Sequence, residues 1–138
     1  MRQKKITTVV SVYNEELSLK HFYEVTVQVL ENLEWDYEMV FVNDGSSDRS
    51  IDILRSFANI NSKVKVVNFS RNFGHQAAVT AGLKEVTGDA IVIIDADLQD
   101  PPELIPEMLK HWENGYEVIY GKRKTRKGES AFKLLTAK

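Results

Sequence analysis

Asp89-Ala-Ile-Val-Ile-Ile-Asp-Ala-Asp-Leu-Gln-Asp-Pro-Pro-Glu103 is the stretch on which the reading of this chain turns. Four β-branched residues, Ile91 to Ile94, deliver Asp95 and Asp97 together, and Pro101-Pro102 then stops the run. A helix would need a longer apolar period, so four such residues bounded by acids and prolines read as a fully buried strand. Two carboxylates just past a buried strand repel one another unless a cation sits between them. A divalent metal holding a phosphorylated substrate is the sharpest explanation. The plainer one is helix capping by Asp97 or Asp100 ahead of Pro-Pro-Glu, and the two are compatible.

Outward from this strand, the chain alternates strands and helices. Ile6 to Val12 reads as a first strand. Asn14-Glu15-Glu16 opens a helix reaching about Leu33, with Leu17, Phe22, Val25, Val29 and Leu33 at helical spacing. Glu38 to Val42 is a second strand, and the cluster Asn43-Asp44-Gly45-Ser46-Ser47-Asp48 supplies both a turn and a cap to the helix carrying Ile51, Leu54 and Phe57. Val64 to Phe69 is a third strand, followed by the polar loop Ser70–His75 and a helix over Gln76 to Val86 that Thr87-Gly88 ends. Beyond the acidic pair, Glu103 to Glu113 reads as a helix with Leu104, Met108, Leu109 and Trp112 inward. Gly115 ends it, and Val118 to Tyr120 forms a short fifth strand. This alternation predicts right-handed βαβ units and an α/β fold, a three-layer, doubly wound, mostly parallel sheet.

Composition bounds the function. The 138 residues suffice for one domain with a real core, and a 43% hydrophobic, 28% charged chain is an ordinary globular one. Without cysteine, disulfides and cysteine-based zinc sites are excluded. No apolar run approaches the roughly 20 residues of a membrane span, and Met1–Lys5 leads into a strand, not a signal peptide. The net charge of −2 hides an asymmetry: Lys122 to Lys138 holds seven basic residues against Glu129 alone, leaving the rest acidic. Such a basic end is either a solvated tail or a contact for phosphate groups or an anionic membrane surface. No nucleic-acid partner is expected.

In open parallel sheets, ligands bind outside the carboxyl ends of the strands. Polar residues gather there: Tyr13-Asn14-Glu15 after the first strand, Asp44 after the second, Arg71-Asn72 after the third, and Asp95 and Asp97 after the fourth. Several nucleotide-binding and metal-binding signatures are absent. The first strand lacks the Gly-x-Gly-x-x-Gly turn of dinucleotide binders, there is no Gly-x-x-x-x-Gly-Lys-Ser/Thr loop, and the acidic run lacks a calcium loop's glycine. An aspartate-based phosphatase would carry its Asp-x-Asp after the first strand, so that reading is the weaker one. His75 is the histidine nearest the rim, where loop packing or capping stands against a catalytic role; His21 and His111 fall on helices and read as structural.

Four segments in order, Val12-Tyr13-Asn14-Glu15-Glu16, Val42-Asn43-Asp44-Gly45-Ser46-Ser47-Asp48, Arg71-Asn72-Phe73-Gly74-His75 and Asp95 to Glu103, resemble the inverting family 2 glycosyltransferases of GT-A fold. The nearest resemblance is to the branch that uses polyprenyl phosphate as acceptor, relatives of dolichol-phosphate mannosyltransferase. It implies that Tyr13, Asn14 and Glu15 line the base and ribose pocket, that Asp44 bonds base or ribose, and that Arg71 neighbours the nucleotide. Asp95 would face the ribose and the metal, with Asp97 and Gln99 as ligands of Mg2+ or Mn2+ against the diphosphate, and Arg123 would contact phosphate of donor or acceptor. A uridine donor is favoured over a guanosine one. The nucleophile would be a phosphate oxygen, ionised at neutral pH, so a general base is less needed than for an alcohol.

The same resemblance divides the chain into a nucleotide-sugar-binding domain, residues 1–121, and a basic acceptor-side loop with the start of an amphipathic helix, residues 122–138. It implies a domain continuing past Lys138 with interfacial or transmembrane helices, at the cytoplasmic face of the cell membrane, and a possible homo-oligomer. The rival is a nucleotide-binding or oligomerising module that does not turn over.

Overall fold

In a computed structural model of the chain, residues 3–97, 99 and 101–114 are described in full, and 118–122 and 131–136 by their backbone. The elements run β1 (Lys5–Val12), α1 (Leu19–Glu31), β2 (Asp36–Asn43), α2 (Ser50–Ile60), β3 (Val64–Asn68), α3 (His75–Leu83), β4 (Ala90–Asp95), a 3-10 turn (Pro102–Leu104), α4 (Ile105–Glu113), β5 (Val118–Lys122) and β6 (Ala131–Thr136). One sheet holds the six strands in the order β3-β2-β1-β4-β6-β5. The first four are mutually parallel where they pair, and β6 runs antiparallel between β4 and β5. The expected mostly parallel, doubly wound α/β sheet is what forms.

Alternation along each strand sorts residues between two helical layers. Ile6, Val10 and Val12 of β1, Met39 and Phe41 of β2, and Val92 and Ile94 of β4 share a core with Leu19 and Phe22 of α1, Leu54 and Phe57 of α2, and Ile105, Met108 and Leu109 of α4. Its centre is aromatic: Phe22 meets Phe41 edge-on at 6.4 Å, Phe41 lies 5.9 Å from Phe57, and Tyr23 stacks on Phe57 at 4.1 Å. On the other face Val40 and Val42 meet Ala78 of α3. That helix packs close because residue 82 has no side chain; a Cβ there would lie 2.6 Å from Val9 Cγ1. The chain steps from β1 outward to β2 and β3, then returns through α3 to β4 on the far side of β1. Strand order therefore reverses between β1 and β4, where an open α/β sheet forms its binding crevice.

Four element boundaries differ from expectation. The first helix opens at Leu19, not at Asn14, because the N–H groups of residues 14–16 are taken by the side chains of Ser46 and Asp48 in the β2–α2 loop and of Ser50 at the start of α2. Leu17, expected inward, is 98% exposed in consequence. The third helix closes at Leu83, since Lys84 and Glu85 end it in tight turns and the Thr87 N–H turns aside to Glu38. In the fourth helix, the 3-10 turn shifts the inward face by one residue: Ile105 is fully buried and Leu104 is exposed. Finally, Ala131–Thr136, expected to begin an amphipathic helix, is strand β6. A short apolar run is ambiguous by period alone, and here the open edge of β4 supplies backbone partners. Gly115 and the residues between β5 and β6 lie outside the described ones.

Candidate active site

Two loops at the carboxyl ends of β1 and β2 are tied together through Asn14. This residue adopts φ 53°, a left-handed conformation that asparagine tolerates better than most residues. Its Oδ1 accepts the Ser47 N–H at 2.8 Å and the Asp48 N–H at 3.3 Å. In return the N–H groups of Asn14, Glu15 and Glu16 donate to Ser46 Oγ, Ser50 Oγ and Asp48 Oδ2.

A second tie joins the β2–α2 and β3–α3 loops. The Asp44 carboxylate, 3% exposed, accepts the Phe73 N–H at 2.7 Å, the Gly74 N–H at 3.1 Å and Asn72 Nδ2 at 3.2 Å. Gly45 (φ 67°) lets the loops touch, since a Cβ there would lie 2.1 Å from the Arg71 carbonyl carbon. Arg71 lays its guanidinium over the Phe73 ring, 4.5 Å from the centroid. Between these loops lies an open cleft of about 230 Å³ lined by Ser11, Tyr13, Asp44, Asn72, Gly74 and His75.

Beside the cleft, Glu15 follows β1 while Asp95 and Asp97 stand at the end of β4. The Glu15 carboxyl is held above its ordinary range. Burial is the largest cause, opposed by a hydrogen bond from Ser18 and reinforced by the negative charges of Asp97, Asp95 and Asp48. The Ser18 hydroxyl lies 2.8 Å from Glu15 Oε2 and 3.0 Å from the Ala96 carbonyl oxygen, so α1 is coupled to the end of β4. Asp97 Oδ1 accepts the Gln99 N–H at 3.0 Å, an Asx-type turn that aims the chain away from the strand. His75, the first residue of α3, places Nδ1 2.8 Å from Ser11 Oγ and 3.9 Å from Asp95 Oδ1.

The sequence-predicted residues therefore fall into groups. Tyr13 and Asp44 line one cleft, and Asp44 is wholly engaged in shaping the loop opposite it. Asn14 acts as the latch between loops, and Arg71 lies on Phe73 at the rim. Glu15, Asp95 and Asp97 form the acidic group, with the Gln99 backbone held by Asp97. Arg123 and Asp100 lie outside the described residues. Sequence reasoning passed over Ser11 and Ser18, and it placed Asn72 at the rim without assigning it a role. Ser11 is the one polar residue in the apolar end of the first strand, Val9-Val10-Ser11-Val12, which is the signal that could have found it.

The carboxylate oxygens of Glu15, Asp95 and Asp97 are hard donors of the kind that suit Mg2+ or Mn2+, and a cation there would offset the negative charges that reinforce the shift of Glu15. Among the described residues no three or more His, Cys, Asp or Glu side chains are already gathered as a metal cage. A cation here would therefore draw further oxygens from a ligand.

The chain is 54% identical over 136 residues to the uncharacterized glycosyltransferase YkcC of Bacillus subtilis, covering 99% of this chain and 42% of that protein. It is 40% identical over 135 residues to the undecaprenyl-phosphate 4-deoxy-4-formamido-L-arabinose transferase of Proteus mirabilis, covering 97% of this chain and 41% of that protein. The chain thus spans less than half the length of these curated relatives. Among solved structures, the mannosyltransferase PcManGT of Pyrobaculum calidifontis, in complex with GDP-Man and Mn2+, shares the fold with a TM-score of 0.79 at 18% identity, over 98% of this chain and 45% of that one. The model of glycosyl transferase family 2 matches residues 7–137, and the chain belongs to that family.

Proposed function

We propose that the protein transfers a sugar from a nucleoside-diphosphate donor to a polyprenyl phosphate at the cytoplasmic membrane face, with a divalent cation assisting. The observation that carries this reading is the placement of Glu15, Asp95 and Asp97 at the carboxyl ends of β1 and β4, beside the cleft lined by Tyr13 and Asp44. Family membership supports the reaction class, and the relative named for undecaprenyl phosphate supports the acceptor. A uridine donor is favoured over guanosine by the resemblance of the four loop motifs.

The roles follow from position. Tyr13, half exposed at the mouth of the cleft, offers a ring against which a base stacks. Asn14 and Asp44 brace the loops that wall the cleft, and Glu15 would face the ribose side. Arg71 gives the rim a positive charge toward phosphate. Asp95, Asp97 and Gln99 would hold Mg2+ or Mn2+. A bound cation supplies Lewis-acid stabilisation of charge developing on the leaving nucleoside diphosphate. Arg123 would neutralise a phosphate of donor or acceptor. Because a phosphate oxygen is the nucleophile, the chain needs no proton-abstracting residue at the reaction centre.

Titration calorimetry of the chain with UDP and GDP, with and without Mn2+, tests this. Binding that strengthens with Mn2+ and falls at least about tenfold in Asp97→Ala is expected, as for loss of a ligand or its outer partner. Binding indifferent to Mn2+ and to Asp97→Ala would remove the metal-assisted reading. Nucleoside diphosphate release by the longer natural protein, given donor and lipid phosphate, separates transferase from a binding module that does not turn over.

A further inference from the structure

His75 belongs to none of the roles above, yet it sits at the seam where the proposed donor site is built. Ser11 and Asp95 are register partners across β1 and β4, and both lie on the sheet face that α3 covers. Val9, two residues before Ser11, is the residue that α3 approaches at Gly82, so the N-terminal end of α3 lies over Ser11. Asp44 sets that end by taking the Phe73 and Gly74 N–H groups, and Gly74 makes the bend into the helix at φ 104°. The result is an imidazole whose Nδ1 stands 2.8 Å from Ser11 Oγ and 3.9 Å from Asp95 Oδ1.

Three polar groups of types Ser, His and Asp invite comparison with a hydrolytic triad. That arrangement needs both ring nitrogens, one for the serine and the other for the carboxylate. Here the same Nδ1 faces both, so no relay runs from Ser11 to Asp95 and no nucleophile is activated. The geometry points instead to His75 as a positioning residue: its Nδ1 edge, anchored on the Ser11 hydroxyl, holds the Asp95 carboxylate in the orientation that receives the donor's diphosphate end. This inference rests on the donor reading of the site and adds to it a residue outside the acidic motif. Outer partners that orient an acidic ligand commonly change affinity by about 10- to 100-fold when removed.

Two measurements judge it, each independent of the other. The first needs no nucleotide: the imidazole nitrogen and proton NMR signals of His75 are compared among the wild-type chain, Ser11→Ala and Asp95→Asn. Both substitutions should shift the His75 signals, and signals unmoved by Asp95→Asn would overturn the proposal. The second is the affinity for UDP and for GDP with Mn2+ in His75→Ala, His75→Asn and His75→Gln. Asparagine carries a polar atom where Nδ1 lies, whereas glutamine carries it farther out. Alanine and glutamine should therefore weaken binding of the diphosphate about tenfold, and asparagine should stay within about threefold. Alanine binding as well as wild type, or asparagine failing as badly as alanine, would overturn it. Absence of UDP and GDP binding in the wild-type chain would instead sink the donor reading, and the NMR comparison would then decide His75 alone. His75 is well exposed, so these variants leave the core intact.

Discussion

Glu38 and Glu15 are both glutamates drawn into the protein, and their environments push them in opposite directions. Glu38, 2% exposed at the amino end of the sheet, would be raised by burial. Hydrogen bonds from the Thr7 hydroxyl, the Thr87 N–H, Lys65 and the Thr87 hydroxyl outweigh that and bring it down to about 2. Those contacts draw together β1, β2, β3 and the segment entering β4, with the Thr7 hydroxyl 2.7 Å and the Thr87 N–H 2.6 Å away. Glu15, at the carboxyl end, is pushed up, chiefly by burial, which the hydrogen bond from Ser18 opposes and the charges of Asp97, Asp95 and Asp48 reinforce. Hydrogen bonds outweigh burial at one end of the sheet, and burial outweighs them at the other, where perturbed acids mark a candidate site. A pH dependence follows from Glu38. Its folded value lies below the ordinary 4.5, so its contribution is fully present above pH 4.5 and is lost as pH falls toward 2. The shift corresponds to roughly 3 kcal/mol. Urea unfolding of Glu38→Gln should show about that loss at pH 7 and a much smaller difference from wild type near pH 2. An undiminished gap at low pH would mean that packing, not charge, is what the substitution removes.

At the scale of elements, the first helix shows what a local reading misses. Asn14-Glu15-Glu16 looks like a helix opening because an asparagine before glutamates is a common start signal. Asn14 does serve orphan N–H groups, but they are those of Ser47 and Asp48 in another loop, 33 and 34 residues away. Spacing within a segment carries no information about such a partner. The inward set shifted accordingly to Leu19, Phe22, Tyr23, Thr26 and Leu30. The strands were far more legible, since their buried β-branched runs leave no alternative face. Asn14→Ala removes the latch and also places a Cβ-bearing residue without a compensating side chain at φ 53°. Loss of a cap-like bond costs about 1 kcal/mol and left-handed backbone about 1–2 more. Thermal unfolding should therefore report a loss of about 2–3 kcal/mol for Asn14→Ala, and only about half of that for Asn14→Gly, which keeps the backbone and loses the bonds. Equal losses would place the whole effect in the side chain.

For the molecule as a whole, alternation of strand and helix sufficed for the sheet, and the carboxyl-end rule sufficed for the rim on which Tyr13, Asp44, Asp95 and Asp97 stand. What stayed hidden are relations made only by folding: the Ser11–His75 contact joins residues 64 apart, and β6 becomes a strand because β4 offers it an edge. Charge is distributed at the same scale. Seven basic residues lie in 122–138 of an otherwise acidic chain, five of them in Lys122–Lys127. No helix among the described residues is long and apolar enough to cross a membrane. The basic segment is, by charge, the part of this sequence suited to anionic lipid. Each lysine or arginine near such a surface contributes about 1 kcal/mol, so removing two should weaken binding roughly thirtyfold. Sedimentation of the chain with phosphatidylglycerol-rich vesicles should show binding at about 0.05 M salt that falls steeply by about 0.5 M, where the screening length is only a few ångströms. The pair Lys124→Gln and Lys127→Gln should reduce the low-salt binding without changing unfolding temperature. Binding that is the same at both salt concentrations would mean that apolar contact, not the basic segment, holds the protein to the lipid.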